Sequence, residues 1–91
     1  MAITVEIPSA LKKYAGNQDE VSVTATNVKD AFTALCSKYA DLKQHIYDDE
    51  GKIRSFINIY VNDEDIRYAQ SLATQLKDGD SIQIVPSIAG G

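Results

Sequence analysis

The order of residues in this chain predicts an α+β roll, a mixed sheet of four to five strands with one main helix across one face. Three observations carry that expectation. Stretches at both ends and in the middle alternate apolar and polar residues with period two. A single segment repeats its apolar residues at spacings of three and four. Turn-forming residues separate these stretches, giving the order β-β-α-β-(β)-β.

Ile3, Val5 and Ile7 alternate ahead of Pro8 and form a first strand with one buried face. Ser9 to Gly16 reads as a connecting turn in which Leu11, Tyr14 or both tuck inward. Val21 and Val23 alternate within Glu20 to Ala25, so the second strand pairs with the first as a hairpin. Thr26 or Asn27 offers a side-chain oxygen as a helix cap. Val28, Ala31, Phe32, Leu35, Cys36 and Tyr39 then form the stripe of an amphipathic helix. From Asp41 to Lys52 the chain is polar, with Leu42 and Ile46 as anchors and a turn at Glu50-Gly51.

A third strand, Ser55 to Val61, directs Ile57, Ile59 and Val61 inward and leaves Phe56, Asn58 and Tyr60 outward. Asn62-Asp63-Glu64-Asp65 makes an acidic turn, Ile66 to Ala69 a short edge strand, and Leu72 with Leu76 packs beneath a brief helical or irregular stretch. Asp78-Gly79-Asp80 turns tightly into the last strand, Ser81 to Val85, with Ile82 and Ile84 inward. Pro86 is expected to end the ladder and project the remaining residues. First and last strands are expected side by side at the centre of the sheet.

Composition narrows the function. The net charge of −4, with nine basic residues scattered among thirteen acids, lacks the footprint of a nucleic-acid binder. No apolar run approaches the roughly 18 residues that would cross a bilayer. Cys36 is the only cysteine, which excludes an internal disulfide and suits a reducing, cytoplasmic compartment. Its place on the helix stripe marks a buried, inert thiol. His45 has no second ligand at metal spacing. Asp48-Asp49-Glu50 and Asp63-Glu64-Asp65 lack the alternating ligands and central glycine of a calcium loop, so both read as solvated turns and no metal site is expected. No constellation of catalytic side chains is visible, and the chain is not expected to be an enzyme.

The last four residues, Ile88-Ala89-Gly90-Gly91, supply the most distinctive chemistry. A glycine pair lets the backbone pass through a channel too narrow for a Cβ, and presents the main-chain carboxylate of Gly91. Extended, these four residues reach about 13 to 14 Å.

With that element order and the ending Asp78-Gly79-Asp80-Ser81-Ile82-Gln83-Ile84-Val85-Pro86-Ser87-Ile88-Ala89-Gly90-Gly91, the chain resembles the ThiS/MoaD sulfur-carrier family. The resemblance covers its whole length. The stretch Phe56 to Arg67, followed by Leu72-Ala73-Thr74, is most similar to the CysO-type carriers of cysteine biosynthesis. The resemblance implies a ubiquitin-like β-grasp fold in a single domain, 1–86, followed by a flexible tail, 87–91. It implies that an E1-like adenylyltransferase of the MoeB/ThiF type uses ATP to activate the Gly91 carboxylate. A sulfur donor then converts it to a thiocarboxylate, which passes sulfur to a biosynthetic enzyme that makes cysteine or a related metabolite. The resemblance further implies that the protein binds no cofactor, carries covalent sulfur at Gly91, and threads Ile88, Ala89 and Gly90 into its partners. A releasing metalloprotease is a further partner to consider. Phe56, Tyr60, Val85 and Pro86 are expected to dock the activating enzyme on the sheet face opposite the helix. The small subunit of molybdopterin synthase and a ubiquitin-like protein modifier are the alternative functions.

Overall fold

A computed structural model describes residues 2–54 and 57–86, apart from the side chain of Tyr68. Five strands form one sheet: β1 (Ala2–Glu6), β2 (Glu20–Thr24), β3 (Ile57–Val61), β4 (Glu64–Asp65) and β5 (Ser81–Pro86), in the spatial order β2-β1-β5-β3-β4. β5 runs parallel to β1, and the remaining pairs are antiparallel. First and last strands therefore lie together inside the sheet, as the sequence predicts.

Period-two alternation does the sorting. Ile3, Val5, Val21, Val23, Ile57, Ile59, Ile82 and Ile84 are all buried on one face. Helix α1 (Val28–Lys38) covers that face with Val28, Ala31, Phe32 and Leu35, each fully buried. Of the two candidate caps, Asn27 is the one used: its side-chain oxygen accepts from the Asp30 N–H at 2.8 Å. Asp30 in the first turn and Lys38 in the last both complement the helix dipole.

Between β1 and β2 the chain winds a 3₁₀ segment, Ser9–Ala15, with Leu11 buried and Tyr14 half-buried. Gly16 ends it at φ +65°, a conformation that suits glycine. The polar stretch after α1 is more ordered than its composition suggests. A 3₁₀ turn, Ala40–Leu42, leads into a one-turn helix α2 (Lys43–Ile46), and Leu42 and Ile46 are completely buried. The turn that follows is organised by Asp48, whose carboxylate accepts from the Glu50 and Lys52 N–H groups. Those contacts, that of Lys52 first, hold the Asp48 carboxyl below its ordinary range.

Three expectations need correction. The acidic turn is really a two-residue hairpin loop, Asn62-Asp63, with both residues at positive φ (49° and 72°), and Glu64–Asp65 is the edge strand β4. Ile66 to Ala69 is no strand, because Ile66–Tyr68 forms a 3₁₀ turn. Asp65 causes this: its carboxylate accepts from the Arg67 N–H at 2.8 Å and pairs with the Arg67 guanidinium at 2.7 Å, which winds the chain where it would otherwise extend. Asp65 is thus the one buried charged residue among those described, so the Asp63-Glu64-Asp65 run is only partly solvated. Arg67 holds the Asp65 carboxyl below its ordinary range, chiefly through its side-chain hydrogen bonds. Finally, Pro86 closes the ladder from within, paired with Ile57, whereas the strand had been expected to stop at Val85.

Candidate functional site

Residues 87–91 follow β5, which lies inside the sheet between β1 and β3, so the expected site is carried on that strand. Its entry turn is pinned on both sides. Asp78 accepts from the Ala2 N–H at 2.7 Å, and the Gly79 N–H donates to the Ala2 carbonyl at 2.9 Å. Asp80 accepts from the Lys77 N–H at 2.7 Å and from the Asn62 side-chain amide at 2.9 Å. Asn62 also accepts from the Ser81 N–H at 3.1 Å. The Lys77 N–H, and after it the Asn62 amide, keep the Asp80 carboxyl below its ordinary range. Gly79 turns at φ +89°, which a side chain would strain.

At the other end Pro86 needs no N–H. The Asn62 N–H donates to the Ser81 carbonyl at 3.0 Å, and alternation along the antiparallel ladder makes Ile57 and Pro86 a pair that exchanges no backbone hydrogen bond. β1 has already ended at Glu6 on the other side. A proline is tolerated here for both reasons.

On the sheet face away from α1, register fixes the neighbours. Val85 lies opposite Asn58, and Tyr60 lies opposite Gln83, so Val85 and Tyr60 are diagonal neighbours. Val85 is 41% exposed, the one large hydrophobic side chain so exposed among the described residues. Pro86 does not share that face: it has the parity of Ile84 and Ile57, and with Leu11, His45 and Arg54 lines a cavity of about 540 Å³ at the root of the tail. Phe56, Ile88, Ala89, Gly90 and Gly91 lie outside the described residues. Thus, of the expected docking residues, the structure brings Tyr60 and Val85 together and sets Pro86 behind them.

One row that the sequence reading did not foresee crosses the same face. Glu20, Glu6, Gln83 and Tyr60 are consecutive register partners across β2, β1, β5 and β3. Strands about 4.8 Å apart put Glu6 about 10 Å from Tyr60. The signal lay in the β1–β2 register, which the irregular Ser9–Ala15 connection conceals.

Other candidates remain outside this face. Cys36 is only half-buried and borders a cavity of about 440 Å³ with Lys29, Phe32, Lys43 and Tyr47. Burial nevertheless pushes its thiol above the ordinary value, against the opposing Lys43 charge, so the neutral form dominates near pH 7. His45 stacks on Tyr14 with ring centroids 4.0 Å apart. Among the described residues no cluster of three metal-ligating side chains occurs, and no helix is long and apolar enough to cross a membrane.

The ThiS family model matches residues 5–91 of this sequence. The chain belongs to the ThiS family. It is 40% identical over its full length to the full-length sulfur carrier protein CysO of Mycobacterium tuberculosis. The crystal structure of that organism's CysO superposes with a TM-score of 0.87 at 38% identity, covering 94% of this chain and 99% of the other. A chain of the Amycolatopsis orientalis BexX/CysO complex does so with a TM-score of 0.89 at 37% identity, covering 98% and 99%. The roll is therefore the ubiquitin-like β-grasp of these carriers, as the resemblance implied.

Proposed function

We propose that this ThiS-family protein is a sulfur carrier that presents the Gly91 carboxylate for adenylation and thiocarboxylation, and donates the sulfur to the synthesis of cysteine or a related metabolite. Full-length similarity to CysO carriers is the observation that supports it most. In this reading residues 1–86 are the presenting domain and 87–91 the tail that threads into partners. An oxygen of the carboxylate attacks the α-phosphorus of ATP and displaces pyrophosphate. A sulfide-level donor then attacks the carbonyl carbon and AMP leaves, so a C–S bond stands where a C–O bond was.

The division of labour follows from size. Acyl-adenylates must be kept from water, and the buried apolar residues of this 91-residue chain pack into one core that leaves no enclosed site for that chemistry among the described residues. An E1-like adenylyltransferase supplies it, while Tyr60 and Val85 dock the domain and Ile88, Ala89 and Gly90 carry Gly91 into the partner's channel. Tethered sulfur then meets its acceptor as an intramolecular reactant, with the rate advantage that proximity gives. The accepting enzyme, and a metalloprotease that frees the product, complete the partner set in the cytoplasm.

Intact mass of the protein from its native host tests the reading. The expected gain corresponds to exchange of one oxygen for one sulfur, lost on deletion of Gly91 while the melting temperature stays unchanged. A ladder of larger adducts linked through Gly91 to lysines would establish a protein modifier instead. A stable complex with a large catalytic subunit would point to molybdopterin synthase.

A further inference from the structure

Strand parity carries on past the last ladder pair. Ile82 and Ile84 face the core, Pro86 has their parity, and Val85 faces outward. A chain that keeps the same period brings Ile88 to the side of Pro86, where the cavity of about 540 Å³ opens. Leu11, Ile57 and Pro86 give that cavity an apolar wall, and Gln44, His45 and Arg54 a polar one. The half-buried Arg54 is held at one corner of its guanidinium, because its Nε donates to the Gln44 carbonyl at 2.9 Å. The two terminal nitrogens remain for a carboxylate, and among the described residues no Asp or Glu forms an ion pair with them. Asp48 feels the Arg54 charge without pairing with it.

We propose that this cavity is a receptor for the chain's own terminus, in which Ile88 seats against Leu11, Ile57 and Pro86 and the Gly91 carboxylate pairs with Arg54. Connection, length and charge choose that occupant. Residues 87–91 follow directly on Pro86, itself part of the cavity wall. Extended, they reach about 16 to 18 Å, which leaves Ala89, Gly90 and Gly91 slack to turn back toward Arg54. The glycines take such a turn without Cβ strain. Residues 87–91 have no charged side chain, so the terminal carboxylate is the charge they bring, opposite in sign to Arg54. A planar guanidinium fork matches a carboxylate, and a thiocarboxylate is likewise an anion. The inference rests on the carrier reading above, which makes Gly91 the reactive end, and adds a regulation of it. The docked tail withholds that end until an activating enzyme draws it out. Apparent affinity for the enzyme is then reduced by the fraction of chains whose tail is released.

Amide relaxation of the isotopically labelled chain tests this. Order parameters of Gly90 and Gly91 should lie above about 0.6, the limit below which backbone is flexible, and fall below it in Arg54→Gln. Ile88→Ser, which leaves Arg54 and its bond to Gln44 in place, should have the same effect. Arg54→Lys should recover only part of the order, because an ammonium keeps the charge and loses the fork. Values below about 0.6 in the unsubstituted chain, or values that stay high in both Arg54→Gln and Ile88→Ser, would overturn the inference and leave the carrier reading intact. Acetate tests for a different occupant: it should shift the Arg54 Nε–H signal in a chain lacking residues 88–91 and not in the full chain. Equal shifts in both would make the cavity a general anion site and overturn its assignment to the tail. Carrier-dependent ATP–pyrophosphate exchange, with a purified adenylyltransferase of the ThiF type from the same host, gives the functional readout. Arg54→Gln should lower the KM for the carrier about two- to fivefold with kcat unchanged. A raised KM would make Arg54 a contact of the partner and overturn the inference. Absence of exchange with every chain would sink the carrier reading, while the order parameters still decide where the tail lies.

Discussion

Ile84 and Val85 are adjacent β-branched residues in one strand, yet one is 3% exposed and the other 41%. Their difference is parity alone: Ile84 faces α1 and the core, and Val85 faces outward beside Asn58. In a sheet covered on one side only, neighbouring positions answer to different demands, one to packing and one to solvent. Substitution should separate them. Ile84→Ala should cost about 2–5 kcal/mol through lost burial and the cavity left behind. For a domain of this size that is a fall in melting temperature of roughly 10–40 °C. Val85→Ala should cost less than about 1 kcal/mol, the range of strand propensity. Its effect should fall on the adenylation assay, with KM raised about fivefold, in the range for truncating an apolar interface contact. Equal losses of stability from both substitutions would erase the distinction between the two faces.

The same parity explains what was legible in the sequence. The alternations around Ile3, Val21, Ile57 and Ile82 and the helical stripe from Val28 each have one clear period, and these elements form as expected. Local side-chain contacts are what periodicity does not encode. Asp65 capturing Arg67 two residues on turned an expected strand into a 3₁₀ turn, although Ile66 remains buried. Leu42 and Ile46 anchor their segment with too few apolar positions to declare a helix. Gly90 and Gly91 are read as the reactive end from residue type alone, and they lie outside the described residues. Tyr60 and Val85 could be assigned to the outer face by counting, but the facing of Glu6 and Glu20 depends on register across an irregular connection.

The two ends of β5 repeat the contrast on a smaller scale. Its entry is tied to β1 and β3 through Asp78, Asp80 and Asn62, whereas at its exit Pro86 exchanges no backbone hydrogen bond with Ile57. Asp80→Asn should loosen the anchored end by about 1 kcal/mol at pH 7, since it replaces a charged acceptor with a neutral one. The sign with pH follows from its depressed carboxyl: the folded state binds that proton less readily than the unfolded chain. Its contribution is complete above the ordinary carboxylate range, roughly pH 4, and is lost as pH falls through the folded value. Urea unfolding at pH 7 and pH 2.5 should therefore show the variant weaker at the first and nearly equal at the second. Asp48 and Asp65, depressed in the same direction, preserve part of the acid sensitivity in the variant. A deficit that persists at low pH would assign Asp80 a role independent of its charge.

The smallest effect belongs to Cys36, on the helix side and away from the outer face of the sheet. A thiol raised by burial is largely protonated near neutrality, so it neither attacks an acyl-adenylate nor accepts sulfur readily. Cys36→Ser should leave adenylation and sulfur loading within about twofold, because surface-adjacent substitutions of this size usually change stability by less than about 0.5 kcal/mol. Intact mass after loading reads the outcome directly: one sulfur on the variant, as on the unsubstituted chain, places the cargo elsewhere than the cysteine. Loss of that single sulfur with Cys36→Ser, and its retention on deleting Gly91, would move the chemistry from the tail to the helix face and reverse the roles of the two sides of the sheet.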